Sequence, residues 1–138
     1  MDEKGPITLK RYGGSVWTTA KRVVLPKYQK TRGKFYLFGA YELFIGRLRW
    51  RYYDRSRSTE FIQFMREIRR WYPHQYLRVV LDQDTTHPQK SLASRQEMRR
   101  LKIHWMSLPK GSPDDNPVES IFSLLQRDIL LGSDAPDV

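Results

Sequence analysis

Acidic residues next to predicted strands are the first candidates for chemistry. Asp82 directly follows the apolar run Leu77–Leu81, which has the length and composition of a strand buried in a parallel sheet. Ligands of open α/β sheets collect at the carboxyl ends of strands, so this acid is well placed, although it could equally cap the following turn. Asp2 and Glu3 begin another predicted strand, where neighbouring side chains face opposite sides. Only one of these two acids can therefore join a given site, and simple solvation is the alternative.

Asn116, Pro117 and Glu119 form a pattern typical of a helix start. Asn116 suits the N-cap, Pro117 the first helical position and Glu119 the third, where its side chain would complete a capping box. A helix N-terminus also fixes the position of a carboxylate, and its dipole favours negative charge. A capping role and a role as a cation ligand are therefore both open for Glu119.

The residue types in the chain restrict the metals that it could bind. The 138 residues include no cysteine, and His74, His87 and His104 are too scattered for a local histidine motif. Disulfides, thiolate zinc sites and cysteine nucleophiles are thereby excluded. Oxygen ligands remain, and these suit Mg²⁺ or Mn²⁺.

The chain is strongly basic, with a formal net charge of +10. This charge in one small domain is typical of proteins that bind polyanions, so phosphate contact is expected. An arginine row lies on one side of the alternating run Arg47–Tyr53, where like charges repel each other, and an ordinary solvated face is the alternative. The predicted nucleic-acid-binding residues are Lys27, Lys30, Arg32, Lys34, Arg47, Arg49 and Arg51.

The first half of the chain predicts a hairpin and a helix. The aromatic and apolar residues 35–43 predict one strand, the alternation in Arg47–Tyr53 predicts a second, and Gly46 lies in the turn between them. Ser58 is the expected N-cap of an amphipathic helix that Pro73 ends. The predicted core face of this helix comprises Phe61, Phe64, Met65, Ile68, Trp71 and Tyr72.

Short strands and helices alternate in the second half. A strand at Leu77–Leu81, a helix at 91–101, a strand at 103–108 and a helix from Pro117 are predicted. The expected core face of the last helix comprises Ile121, Phe122, Leu124, Leu125 and Ile129. The complete order predicts an α/β fold with a mixed sheet, in which an antiparallel meander is followed by parallel β-α-β strands, with helices on the faces of the sheet.

Two strings resemble the later signature blocks of the mariner-like superfamily of DDE transposases, and most closely its bacterial insertion-sequence branch. LDQDTTH, residues 81–87, matches a strand that ends in an aspartate with a histidine five positions on. SPDDNPVE, residues 112–119, matches the block that ends in the third acid. The 36 residues at 83–118 between Asp82 and Glu119 are close to the family spacing. Asp2-Glu3 matches the first acid, so the resemblance covers nearly the whole chain.

The resemblance implies a ribonuclease H-like fold and metal-dependent DNA strand cleavage and strand transfer during transposition. Asp2, Asp82 and Glu119 would be the catalytic, metal-binding acids and would hold two Mg²⁺ or Mn²⁺ ions about 4 Å apart. His87 and Asn116 would support this site. The implied partners are double-stranded DNA, as transposon ends and target, and further copies of the protein. No membrane and no small-molecule cofactor is implied, and the location would be the bacterial cytoplasm, at the nucleoid.

The chain departs from the family at several positions. Gln83, Lys110-Gly111 and Asp115 replace commoner residues without touching the three acids. Only Met1 precedes Asp2, whereas the family's first aspartate lies inside a strand. We therefore expect a catalytic domain at 1–131 that lacks the start of its first strand, a polar tail at 132–138, and no N-terminal helix-turn-helix domain. A catalytically inactive, basic DNA-binding remnant of a transposase is the alternative function.

Overall fold

Three strands form an antiparallel sheet in the computed structural model, which describes residues 1–8, 19, 33–81, 91–109 and 116–125. They are β1 (Asp2–Thr8), β2 (Lys34–Glu42) and β3 (Arg47–Tyr53), with β2 between the other two. The turn from β2 to β3 contains Gly46 at a φ of 67°, a conformation that glycine adopts at little cost. The Gly46 amide donates to the Glu42 carbonyl over 2.9 Å and closes the turn. The predicted hairpin is confirmed.

Two parallel strands and two helices follow. Helix α1 (Ser58–Trp71) leads to β4 (Leu77–Leu81), and helix α2 (Leu92–Arg100) leads to β5 (Ile103–Ser107). Strands β4 and β5 pair in parallel along their whole length. Ser91 caps α2, because its hydroxyl accepts a hydrogen bond from the Ser94 amide.

The two sheets meet where β1 begins. The Met1 ammonium nitrogen donates to the Val80 carbonyl on β4 over 2.8 Å. The start of β1 therefore lies between β2 and β4, and the strands follow the spatial order β3, β2, β1, β4, β5. The expected mixed sheet, with an antiparallel meander and parallel strands, is confirmed.

Each face of the meander carries a helix and a core of its own. Helix α3 (Pro117–Leu125) covers what we call the α3 face, and α1 covers the opposite α1 face. The core of the α1 face comprises Met1, Phe38, Phe61, Phe64, Met65, Ile68, Val79, Leu81, Met98 and Ile103. The core of the α3 face comprises Ile7, Leu37, Val118 and Phe122. None of the helices in the described ranges is long and apolar enough to cross a membrane.

Two details of the helices differ from the predictions. The N-cap of α1 is Arg57, not Ser58, because the Glu60 carboxylate accepts a hydrogen bond from the Arg57 amide over 3.0 Å. In α3 the first turn packs against the sheet, so Val118 is buried, whereas Leu124 is 50% exposed and lies outside the core. The predicted core residue Ile129 falls outside the described residues.

Candidate active site

Asp2 lies on the α3 face of the meander. In the antiparallel register it stands opposite Gly39, and Lys4 stands opposite Leu37, which belongs to the core under α3. Paired residues in a sheet project to the same side, so the Asp2 side chain projects toward the side that α3 covers. The Asp2 carboxylate accepts a hydrogen bond from the Glu3 amide over 2.8 Å, which helps to orient it.

Glu3 lies on the opposite face. It stands opposite Phe38, which is fully buried in the core under α1. Its carboxylate accepts a hydrogen bond from the Ser56 hydroxyl over 2.7 Å. The two neighbouring acids are therefore separated by the sheet, as the alternation of side chains requires, and only Asp2 shares a face with the helix that carries Glu119.

Asn116 caps the N-terminus of α3 as predicted. Its side-chain oxygen accepts a hydrogen bond from the Val118 amide over 3.3 Å, and Pro117 is the first helical residue. The Glu119 amide donates to the Asn116 carbonyl over 3.0 Å. Glu119 thus stands at the third helical position with a half-buried side chain. Asn116 is only 4% exposed, so the cap is anchored within the protein and not in solvent.

Gly39 determines how closely α3 approaches the sheet. A Cβ atom at this position would lie 2.7 Å from Cζ of Phe122 and 3.3 Å from Cγ1 of Val118. Only glycine therefore lets α3 pack directly on the strand at position 39, which is opposite Asp2 in the register. The sequence carried a signal for this role that we did not use, since a glycine inside a strand marks the close approach of another element.

The Met1 ammonium shows how buried the start of β1 is. Burial lowers the pKa of this group to about 6, and the neighbouring Asp2 carboxylate opposes that shift. The next strand, β4, ends at Leu81, whose carbonyl accepts a hydrogen bond from the Leu108 amide over 2.8 Å. The hydrogen bond from Met1 to Val80 therefore joins the start of β1, in the three-stranded sheet, to β4, in the two-stranded sheet.

The other predicted site residues lie outside the described residues. Asp82 follows the last residue of β4 in the sequence, and neither it nor His87 is described. Within the described residues, no group of three or more His, Asp or Glu side chains is arranged to hold a metal ion. The structure brings Asp2 and the Glu119 helix to one face of the sheet, and the position of the middle acid stays a prediction.

The arginine row of β3 packs against α1. The Arg49 guanidinium lies over the rings of Trp71 and Tyr72, at 5.1 and 5.8 Å from their centroids. Arg51 also lies over Trp71 and forms an ion pair with Glu67 at 2.7 Å. Aromatic faces and a carboxylate therefore offset the repulsion within the row. The sequence pattern predicts phosphate contact or a solvated face for this row and does not predict this packing.

Phosphate contact stays a prediction for the remaining basic residues. Arg47 and Lys34 are exposed at the ends of their strands. Lys27, Lys30 and Arg32 fall outside the described residues. For Arg49, which is half-buried and engaged with aromatic rings, the described geometry favours a packing role.

Family comparison agrees with this arrangement. The family model described as DDE superfamily endonuclease matches residues 1–138. The chain belongs to this family. No curated protein sequence matches this DDE superfamily member.

Two solved structures share the fold of this DDE superfamily chain. One is the simian T-cell lymphotropic virus intasome in complex with the PP2A regulatory subunit B56 gamma, with a TM-score of 0.60 and 15% identity over 88% of this chain and 45% of that chain. The other is the Mos1 transposase paired-end complex with the left transposon end, with a TM-score of 0.52 and 17% identity over 90% of this chain and 40% of that chain. The present chain spans less than half the length of either. These likenesses and the mixed sheet confirm the ribonuclease H-like fold predicted from the sequence.

Proposed function

We propose that this chain is the catalytic domain of a DNA transposase of the mariner-like superfamily, in its bacterial insertion-sequence branch. The proposed reaction is metal-dependent cleavage of DNA strands at transposon ends, followed by strand transfer into target DNA. One structural observation carries the proposal: Asp2 and the capped N-terminus of α3, with Glu119 in its first turn, lie on the same face of the sheet. The family match over the whole chain supports it.

The donor set fits a divalent cation that prefers hard oxygen ligands. Asp2, Asp82 and Glu119 would hold two Mg²⁺ or Mn²⁺ ions, and the chain has no cysteine that would favour softer metals. When bound, such ions activate the attacking water or 3′-hydroxyl and stabilise the departing oxygen of the phosphodiester. Asn116 would fix the helix start that carries Glu119, because its side chain already caps that helix. His87 is proposed as a further supporting residue.

The partner proposed for this site is double-stranded DNA. The net charge of +10 would offset the phosphate charge near a cluster of carboxylates, and exposed Arg47 and Lys34 are available for such contacts. Transposon ends and target DNA must meet during strand transfer, so we propose that the protein acts as a homo-oligomer on the DNA of the bacterial nucleoid.

Nicking of supercoiled plasmid tests the proposed chemistry. The purified chain should nick plasmid in the presence of Mg²⁺ or Mn²⁺ and not in the presence of a chelator. Asp82→Asn should abolish nicking while DNA affinity is kept, because the substitution removes one anionic ligand and no basic residue. Equal nicking by the wild type and Asp82→Asn would overturn the assignment of Asp82.

The net charge also favours a second function, that of a basic DNA-binding remnant without catalysis. Under this alternative, the wild type and Asp82→Asn bind DNA with the same steep dependence on salt, and neither cuts with either metal. Measuring binding at several salt concentrations beside the nicking assay therefore separates the two functions.

A further inference from the structure

Strand β4 presents a basic side chain on the side of the molecule that also carries Asp2. Val79 and Leu81 are buried in the core of the α1 face, together with Met1 at the start of β1. Because side chains alternate along a strand, Arg78 on β4 and Asp2 on β1 both project away from that core. Arg78 is exposed. An exposed cation and one of the proposed catalytic acids therefore share one side of the molecule.

Arg78 lies close to the proposed site along the strand. It stands three residues before Leu81, the last residue of β4, which Asp82 follows in the sequence. Three residues of a strand span about 10 Å. Duplex DNA rises about 3.4 Å per base pair, so this separation equals the length of about three base pairs. One DNA molecule can therefore contact Arg78 and the acids together.

Two aromatic rings hold the Arg78 side chain at the surface. Its guanidinium lies 5.4 Å from the centroid of the Tyr76 ring. That ring stacks on His104, with 4.9 Å between the centroids and 28° between the planes. His104 is the residue opposite Arg78 in the register of β4 and β5. Tyr76 is 66% exposed, so the three side chains form an ordered cluster outside the core.

The charge of Arg78 is available to an anion. Among the residues that the structure describes, no carboxylate forms an ion pair with Arg78. Arg51, in contrast, lies on an aromatic ring and is also paired with Glu67. A guanidinium that stacks on a ring uses its flat face, and its N–H donors point outward in its own plane. Two of these donors can bind one phosphate at the same time.

We propose that Arg78 binds a backbone phosphate of the DNA that occupies the site of Asp2, Asp82 and Glu119. The inference rests on the proposed function, because it takes DNA as the partner of that site. A cation here offsets phosphate charge beside the carboxylates. The contact with Tyr76 restricts the guanidinium before DNA arrives, so less side-chain freedom is lost on binding.

The salt dependence of DNA binding tests this contact. Fluorescence anisotropy would follow the binding of the full chain to a short labelled duplex at several salt concentrations, with a chelator present so that no strand is cut. Each phosphate that a protein cation neutralises contributes about 0.9 to the slope of log K against log salt. We expect Arg78→Ala to bind about tenfold more weakly at low salt, with a slope smaller by about 0.9. Unchanged affinity and slope would overturn the proposal.

Arg95→Ala is the matched control. Arg95 is exposed on α2, whose Met98 is buried in the core of the α1 face. The control therefore removes the same charge from the other side of the molecule, and we expect its slope to equal that of the wild type. An equal loss of slope in Arg78→Ala and Arg95→Ala would mean that binding depends on net charge alone, and this result would also overturn the proposal.

Two substitutions of Tyr76 test the role of the ring. Tyr76→Leu removes the ring next to the guanidinium and keeps the charge, so we expect binding to weaken about two- to fivefold with the slope of the wild type. Tyr76→Phe keeps the ring and should bind as the wild type does. Wild-type affinity in Tyr76→Leu would show that the ring does not position Arg78.

Plasmid nicking shows whether the contact belongs to the proposed site. Arg78→Ala should need about tenfold more DNA for half-maximal nicking and reach the maximal rate of the wild type, because Arg78 holds DNA and does not hold the metal ions. Weaker binding by Arg78→Ala with an unchanged DNA requirement for nicking would place the contact away from the acids and overturn the proposal.

The two assays together distinguish this inference from the proposed function. If the wild type nicks plasmid and Arg78→Ala binds DNA as the wild type does, the contact at Arg78 is wrong and the proposed function stands. If Arg78→Ala loses slope and the wild type does not nick with either metal, the contact with DNA stands and the proposed cleavage is wrong.

Discussion

The α1 face of the sheet carries a helix of 14 residues and a core of ten buried side chains, whereas the α3 face carries a helix of nine residues and a described core of four. Glu3 projects to the first face and Asp2 to the second. Among the described residues, the larger core buries more apolar side chains and should therefore contribute more hydrophobic stability. On the α3 face, Asp2 and Glu119 are half-buried, so their carboxylates can stay hydrated or bind cations.

We infer that the α1 face mainly stabilises the fold and that the α3 face mainly positions the catalytic residues. Substitutions under α1 should lower the free energy of unfolding, while substitutions under α3 should change catalysis more than stability. The packing of Phe122 and Val118 on Gly39 makes this testable, because it couples a small core directly to the helix that carries Glu119.

Truncation of an aromatic side chain on each face should give the largest stability effects. Phe64→Ala removes a fully buried ring that packs on Phe38, and we expect a loss of about 3–5 kcal/mol in the free energy of unfolding. Phe122→Ala should cost less, about 2–3 kcal/mol, because α3 can settle toward Gly39 and partly fill the space. Urea denaturation measures both values, and a larger loss for Phe122→Ala would contradict the comparison.

Gly39→Ala should separate activity from stability. The added methyl group would press on the Phe122 ring, and we expect a cost of about 1–3 kcal/mol together with a displacement of α3. A shift of about 1 Å at Glu119 should lower the rate of DNA nicking on the order of a hundredfold. The double variant Gly39→Ala, Phe122→Leu should recover part of the activity, because the smaller side chain makes room. Unchanged nicking by Gly39→Ala alone would show that α3 is not seated on this residue.

Glu97 should contribute to stability in a pH-dependent way on the α1 side of the molecule. Hydrogen bonds from Arg100 and Arg66 hold the pKa of its carboxyl at about 2, and the Arg66 contact at 2.8 Å joins α1 to α2. Because the folded state favours the ionised form, the contribution is complete above the ordinary pKa of glutamate and is lost as the pH falls toward 2. Glu97→Gln should therefore cost about 1 kcal/mol at pH 7 and progressively less below pH 4. The exposed acid variant Asp54→Asn serves as the control, and a constant difference between wild type and Glu97→Gln at all pH values would refute the assignment.

Substitution of Tyr53 should change the free energy of unfolding least, and it should raise this free energy where the other substitutions lower it. Burial raises the pKa of its hydroxyl to about 12, and the nearby Glu67 carboxylate adds to that shift. The hydroxyl has no hydrogen-bond partner among the described residues, although the ring packs edge-on against Phe38. Tyr53→Phe should therefore raise the free energy of unfolding by about 0.5–1 kcal/mol. Thermal unfolding measures the change, and a destabilised variant would indicate a partner for the hydroxyl.

Much of the fold was predictable because local signals coincided with tertiary packing. The bounds of β3 and β4 agree with the predictions, since alternation marks the first and a short apolar run between turn residues marks the second. The prediction of Ser58 as the N-cap of α1 was wrong, because Glu60 at the third helical position makes its capping contact with the Arg57 amide. The prediction that Leu124 belongs to the core was wrong, because periodicity identifies the faces of α3 but not which turn of the helix contacts the sheet.

The candidate site was predictable in part for the same reason. The alternation of side chains along a strand predicts that Asp2 and Glu3 lie on opposite faces of the sheet. The capping pattern predicts that Glu119 lies in the first turn of a helix. The choice between the two acids depends on which helix covers which face, and this is a property of the tertiary structure. The packing of Arg49 against Trp71 was missed likewise, because alternation does not tell which side of a strand another helix covers.

Mn²⁺ binding by two neighbouring variants tests the central claim most directly. Isothermal titration calorimetry would compare Asp2→Asn with Glu3→Gln, which remove adjacent charges from opposite faces of the same strand. We predict that Glu3→Gln binds Mn²⁺ as the wild type does and that Asp2→Asn binds it about tenfold more weakly or not at all. Loss of binding in Glu3→Gln with full binding in Asp2→Asn would contradict the assignment of the α3 face as the catalytic face.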